Sequence, residues 1–301
     1  MRGLVLVEIK IGDVVGRKSY GCDIAFKVHD IVTQRDGKIV IYLKGINYRI
    51  LADAPEADLI KLPANKINED IDNINRKIDR ICDKITRTAS KVSLAPRKLL
   101  MRDGFDVFKR PGKVLHLDAD DNYLQMCLKQ YKKLGINVVG KLVAEAEQPK
   151  VVKELLTSVN PDILVMTGHD GMIKAGASGN AKEYNSVGSY RNSGYFIDAV
   201  KEARKYEPSL DELVIFAGAC QSYYEGILAA GANFASAPKR VLIHALDPVM
   251  VSAKIAFSTI DKVVPLEEVL NNTITGMNGI GGIQTRGKYR DGMPNTPYVV
   301  P

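Results

Sequence analysis

No stretch of this chain approaches the run of about eighteen apolar residues that a membrane-crossing helix needs, so no membrane role is expected. The opening MRGLVLVEIKIGD lacks a small-residue cleavage site and an apolar core long enough for secretion, and we expect a protein that stays in the cytosol. Cysteine is scarce. Cys22, Cys82, Cys127 and Cys220 are scattered, with neither the paired spacing of a zinc site nor the density of a disulfide scaffold, so no structural metal and no disulfide is expected. No GxGxxG or GxxxxGKS/T loop stands at a strand-to-helix junction, which turns the reading away from nucleotide chemistry, and no cofactor is expected. Internal repeats and low-complexity tracts are absent as well.

What remains is an ordinary globular composition. With 301 residues, 46% hydrophobic and 26% charged, the chain has room for one large domain or two unequal ones. A net charge of +7 implies attraction to acidic surfaces, and charge alone does not choose between nucleic acid and an acidic protein assembly.

The texture changes twice along the chain. Residues 1–63 read as short strands separated by turns, LVLVEI, DIAFKVHDIV, KIVIYLKG and INYRILADAP, which suggests a small curled sheet or SH3-like barrel. Residues 64–112 read as a helical and basic linker: Ile67, Ile71, Ile74, Ile78, Ile81 and Ile85 recur at helical spacing, followed by basic residues punctuated by Pro96, Pro111 and Gly112. Residues 113–301 alternate apolar strands with amphipathic helices. VLHLD, INVVGKLVA, DILVMTG, ELVIFAGA and RVLIHALD are the strands, so an α/β domain with a mostly parallel sheet flanked by helices is expected. The late run from Gly276 to Ile283 reads as a loop.

In such a sheet the chemistry collects at the carboxyl ends of the strands. DILVM runs into Thr167-Gly168-His169-Asp170-Gly171, and ELVIF runs into Ala217-Gly218-Ala219-Cys220-Gln221-Ser222. A free thiol is mostly protonated at neutral pH, and an imidazole beside it can take its proton or stabilise the thiolate. Cys220 is therefore the expected nucleophile and His169 the expected base. Gly218 and Ala219 permit a tight turn whose following backbone N–H groups, with that of Cys220, would face a developing oxyanion; Gly168 and Gly171 offer the same beside His169.

TGHDG, GACQS and ANFASAP, each at a strand end, resemble the caspase, legumain, gingipain and separase group of cysteine peptidases, in which the histidine lies about 50 residues upstream of the cysteine. KVLHLDAD, PDILVMTGHD, LVIFAGACQS, GANFASAP, IHALDPV, GGIQTRG and the opening IGDVVGRKSYGCDI resemble, more closely, the family of sporulation-specific proteases of endospore-forming bacteria. That likeness covers nearly the whole chain and is weakest from about residue 64 to 110. It implies a caspase-like sheet and a thiol protease of the mother cell that cuts spore coat or cortex-related proteins after arginine. One departure from the caspase pattern is Asp170, which stands between His169 and Gly171.

An arginine-specific pocket needs a carboxylate, because a guanidinium left unpaired in a closed cleft is costly. Asp247, after the strand that follows the nucleophile strand, is the first candidate, with helix capping as its alternative role. Ser236 is placed to line the same pocket; Glu225, Asp198 and Asn192 are further polar candidates. The remaining histidines, His29, His116 and His244, lie within apparent strands and read as structural, with His244 the strongest rival base because IHALD ends at the same sheet edge. Self-cleavage is expected in the basic segment, at Arg87, Arg97, Arg102 or Arg110. Two other functions stay open: a catalytically idle binding or scaffold protein, and a small-molecule amidohydrolase using the same thiol. Protein substrates rather than nucleic acid are the expected partners, and oligomeric state is left open.

Overall fold

The computed structural model describes residues 8–92, 108–173 and 184–292, and the chain divides into two compact units, Met1–Arg76 and Lys77–Pro301. The division falls inside a helix, not near residue 112 where the composition shifts.

The smaller unit is an antiparallel sheet of β1 (Val14–Arg17), β2 (Phe26–Thr33), β3 (Ile39–Gly45), β4 (Leu51–Ala54) and β5 (Leu59–Lys61), in the order β4-β3-β2-β1-β5. Alternation puts Phe26, Val28, Ile41 and Leu43 on one face, where they meet Val15, Ala54 and Leu59 in a small core. A closed barrel does not form among the described residues, because β4 and β5 end the sheet on opposite edges without pairing. Yet a single 3-10 turn, Glu56–Asp58, joins those two strands, a reach shorter than the roughly 19 Å that a flat sheet of this width would demand at about 4.8 Å per strand. The sheet is therefore curled.

Helix α1 (Ala64–Val92) carries the isoleucine stripe and runs through the division between the units. Ile78, Ile81 and Ile85, beyond the division, are buried in the larger unit. The linker stretch 93–107, with Arg97 and Arg102, lies outside the described residues. Arg87 is on α1 and Arg110 is in β6 (Phe108–Arg110), so both belong to hydrogen-bonded backbone rather than to an extended loop.

The larger unit is built on a six-stranded sheet. Its parallel part comprises β7 (Val114–Asp118), β8 (Val138–Leu142), β9 (Ile163–Thr167), β10 (Val214–Ala217) and β11 (Phe234–Ser236), in the order β8-β7-β9-β10-β11. The far edge is not RVLIHALD. Residues 237–246 leave the sheet because Ala237 and Arg240 adopt left-handed backbone, which breaks an extended run. The glycine run read as a loop takes the edge instead: after β12 (Val263–Val264), β13 (Ile280–Gly282) pairs antiparallel with β11. Two ribbons complete the unit, β12 with β14 (Thr285–Arg286) and β6 with β15 (Arg290–Gly292).

Helices cover both faces. Leu115, Leu117, Leu164, Met166, Ile215 and Ala217 point to one face, against α3 (Gln148–Val159) and α4 (Ser193–Tyr206); the alternate residues face α2 (Asp121–Leu134) and, further along the chain after the short α5 (Tyr224–Ala229), α6 (Asp247–Ala256). α1 packs in the α2 layer, where Gln130 donates to Cys82 Sγ at 3.0 Å and Lys133 pairs with Asp79 at 2.6 Å. The last helix is α7 (Leu266–Leu270).

Candidate active site

In the order β8-β7-β9-β10-β11 the chain switches direction of travel between β7 and β9, and in open α/β sheets the crevice at that switch, outside the carboxyl ends of the strands, is where chemistry gathers. Four strand ends meet there. Asp118 and Asp120 close β7, His169 follows β9, Cys220 follows β10 and Ser236 ends β11.

The histidine turn is braced from three other elements. Glu145 accepts the His169 backbone N–H at 2.7 Å, and Asn192 Nδ2 donates to the His169 carbonyl at 2.8 Å. Gly168 is required here, because a Cβ would stand 2.4 Å from Glu145 Oε1. The imidazole Nε2 lies 2.9 Å from Asp120 Oδ2, with the histidine side chain 19% exposed and the aspartate 9%. Asp120 is also the N-cap of α2: its Oδ1 accepts from Asn122 and Tyr123 backbone N–H groups, which leaves Oδ2 for the histidine. With a carboxylate on Nε2 the neutral ring carries its proton there and its lone pair on Nδ1. That nitrogen is buried and has no hydrogen-bond partner among the described residues. Beyond the turn, Arg191 donates to the Gly171 carbonyl at 3.0 Å, Ile173 to Ser189 at 2.8 Å, and Met172 bridges Tyr190, so the chain leaves and returns as a paired neck.

The cysteine turn is closed. Cys220 is 1% exposed, and its Sγ accepts the Ile243 N–H at 3.2 Å with the Ile243 carbonyl at 3.8 Å. Gln221, in left-handed backbone, donates to the Val241 carbonyl, so residues 241–243 run alongside the nucleophile turn. Gly218 has φ 109°, and a Cβ there would meet Ser236 Oγ at 2.5 Å; glycine is needed for both reasons. The helix after the turn begins only at Tyr224 and is short.

Asp170 joins the two turns. Its Oδ1 accepts from Gly171 and Asn192 backbone N–H groups, and its Oδ2 accepts from the Ser193 and Ser222 hydroxyls. Ser222 Oγ in turn accepts the Ala219 N–H at 2.9 Å. The residue that departs from the caspase pattern is thus the tie between the turns that follow β9 and β10. It also occupies the Gly171 N–H that was expected to face an oxyanion.

Other expected residues fall differently. Ser236 Oγ donates to the Ala219 carbonyl at 2.8 Å and so props the cysteine turn from β11. Asp247 is fully buried at the start of α6, where its carboxylate accepts from His244, Ile274 and Thr275 backbone N–H groups and from the Thr275 hydroxyl. Burial drives its pKa up and those hydrogen bonds oppose the rise. Both oxygens are committed to pinning two loops, so a guanidinium cannot pair with Asp247 without dismantling them; this corrects the sequence expectation. His244 Nδ1 accepts the Leu246 N–H at 3.1 Å within the same pinned loop. Asp198 lies exposed on α4 beside Lys201, His29 is exposed on β2, and Cys22 is half-buried in the smaller unit.

The residue that sequence reasoning missed is Asp120. Its signal was in KVLHLDAD: an acidic residue at the end of an apolar strand and the start of a helix, on the strand that flanks the histidine strand.

Among the described residues one group is arranged to hold a metal ion, His116, Asp118 and Cys127, whose donor atoms lie within 4.8 Å of one another, all buried. Its members are already engaged: His116 meets Tyr131 Oη at 3.3 Å and Thr167 Oγ1 at 3.0 Å, Asp118 Oδ1 accepts the Asp120 N–H, and Cys127 donates to the Ala245 carbonyl. No described helix is long and apolar enough to cross a membrane.

The family model described as YabG peptidase U57 matches residues 10–294. The sporulation-specific protease YabG of Bacillus subtilis (strain 168) is 44% identical over 294 residues, covering 96% of this chain and 99% of that protein. No solved structure matches.

Proposed function

The chain belongs to the YabG peptidase family U57, and from that membership and the strand-end geometry we propose a cysteine endopeptidase of sporulation in which Cys220 attacks and His169 transfers the proton. The observation that carries the reading is the pair of turns on adjacent parallel strands, one with a buried thiol and the other with an imidazole held by a carboxylate.

In this reading His169 Nδ1 takes the Cys220 proton, and the thiolate adds to the scissile carbonyl. The Asp120 carboxylate holds the ring in one tautomer and one orientation. Collapse of the tetrahedral adduct passes the proton to the leaving amine and leaves a thioester, which water hydrolyses with the histidine again as base. Because Ile243 covers Sγ, residues 237–246 must shift before a peptide reaches the thiol. Cleavage after arginine, substrates in the spore coat or cortex, action in the mother cell and self-cleavage at Arg97 or Arg102 belong to the same proposal; the relative named as a sporulation-specific protease supports the sporulation setting, and the arginines of the basic linker offer the self-cleavage sites.

The test is a fluorogenic peptide with arginine at the scissile position. Hydrolysis abolished by Cys220→Ala and by a thiol alkylator supports the proposal. Unchanged hydrolysis in purified, folded Cys220→Ala sinks the thiol mechanism.

A further inference from the structure

Next to the cysteine turn the protein binds one of its own arginines as a receptor would. Tyr190 and Tyr223 stack with ring centroids 5.4 Å apart at 15°, and the Arg240 guanidinium lies 5.5 Å and 5.8 Å from those two centroids. Arg240 Nε donates to Tyr190 Oη at 2.7 Å, Nη1 to the Ala237 carbonyl at 3.2 Å and Nη2 to Glu225 Oε2 at 2.5 Å. Aromatic rings plus a carboxylate suit a planar, forked cation and suit a compact ammonium less well.

The box is anchored on both turns of the candidate site. Tyr190 belongs to the neck beyond His169, while Tyr223 stands three residues past Cys220 and donates its N–H to Ser193 Oγ. The segment that delivers Arg240 is the one that covers the thiol, since Val241 and Ile243 hydrogen-bond to Gln221 and Cys220. That segment is strained. Of the five non-glycine residues with positive φ among those described, Gln221 (57°), Ala237 (63°) and Arg240 (54°) cluster here, and strain of this kind gathers at ligand clamps and switches. The Arg240 side chain is 16% exposed but its partner Glu225 is 56% exposed, so the carboxylate is reachable from solvent while the arginine sits inside.

We propose that the box of Tyr190, Tyr223 and Glu225 is the pocket for the substrate's arginine side chain, and that Arg240 is a resident placeholder which the substrate displaces. The inference rests on the peptidase reading above and supplies its specificity carboxylate. Withdrawal of Arg240 empties the pocket and frees residues 241–243 from the thiol in one movement, so the side chain that is recognised is the one that unlocks the nucleophile. A binding-competent state populated only in part raises the apparent dissociation constant by the inverse of that fraction. Removing the placeholder lifts that burden.

The experiment compares peptides with arginine, lysine or citrulline at the scissile position across wild type, Arg240→Ala and Glu225→Gln. Arg240→Ala is expected to lower KM for the arginine peptide by about tenfold with kcat within about threefold, consistent with a lost population burden. A merely structural Arg240 would give the reverse, a higher KM or a lower kcat. Glu225→Gln is expected to cut kcat/KM for arginine by about fivefold, the equivalent of the ~1 kcal/mol of an ion pair whose carboxylate is 56% exposed, and to leave citrulline nearly unchanged. If Arg240→Ala fails to fold, the Glu225→Gln series decides alone. A second arm needs no turnover: Cys220→Ala/Arg240→Ala is titrated with Nα-acetyl-arginine amide, and binding is expected that Glu225→Gln weakens by about fivefold. A protein inert toward every peptide would remove the peptidase reading and leave this arm to judge the box. Unchanged arginine-to-citrulline selectivity in Glu225→Gln, or no amide binding by the folded double variant, overturns the proposal.

Discussion

The two turns that end β9 and β10 are neighbours in one sheet, and they are opposites in state. The His169 turn is open and finished: backbone and side chain are fixed by Glu145, Asn192 and Asp120, and the imidazole retains some exposure. The Cys220 turn is buried, covered by residues 241–243, and flanked by left-handed residues. The imidazole is thus held in place by its backbone and its Nε2 contact, while the thiol is covered. In the proposed mechanism that division places control at the nucleophile, because the cover over the thiol must move before a peptide reaches it.

The comparison breaks most completely if the base is misplaced. His169→Ala should reduce hydrolysis to background, whereas His244→Ala, in a loop pinned by Asp247, should keep measurable turnover with a lower melting temperature. The opposite result in steady-state assays would move the base to His244. Next in size is Asp120→Asn. Asparagine caps a helix as well as aspartate does, so stability should change little, while loss of the carboxylate on Nε2 should lower kcat by about 10³-fold with KM nearly unchanged. Wild-type kcat in this variant would make Asp120 a cap and nothing more.

Asp170→Ala tests whether the two turns depend on each other. Four donors lose their acceptor, each worth about 1 kcal/mol or more when left unsatisfied, so melting should drop by several degrees and activity by about 10²-fold. Equal activity would show that the turns are set independently. The smallest effect on specificity is expected from Asp247→Asn: the preference for arginine over lysine should not change. Its signature is in pH. Since burial raises the Asp247 pKa above its unfolded value, the folded state holds the extra proton, and the stability this contributes is present in acid and lost as pH rises through the raised value. Denaturant titrations of wild type against Asp247→Asn should diverge across that window, and parallel curves would contradict the buried carboxylate.

Much of the larger unit could be read from the chain because parallel strands buried on both faces leave unbroken apolar runs, and DILVM and ELVIF stop where the polar chemistry starts. The ends of those runs put His169 and Cys220 in the turns that follow β9 and β10. Asp247 misled because a carboxylate after a strand looks alike whether it faces a ligand or three backbone N–H groups. The edge strand was misassigned for a local reason: RVLIHALD is apolar enough for a strand, but its course is set by Ala237 and Arg240, whose left-handed backbone no hydropathy pattern records. Asp120 and the Asp170 tie depend on strand order, which couples residues about fifty positions apart. In the smaller unit alternation revealed the strands and not whether their edges would meet.

The paired neck beyond His169 gives the imidazole turn a second anchor. Gly171–Ile173 and Ser189–Arg191 are bonded to each other across the base of the excursion, and their register is set at that base. Proline at Ile173 would remove the N–H that bonds Ser189 and so loosen the turn that carries the imidazole.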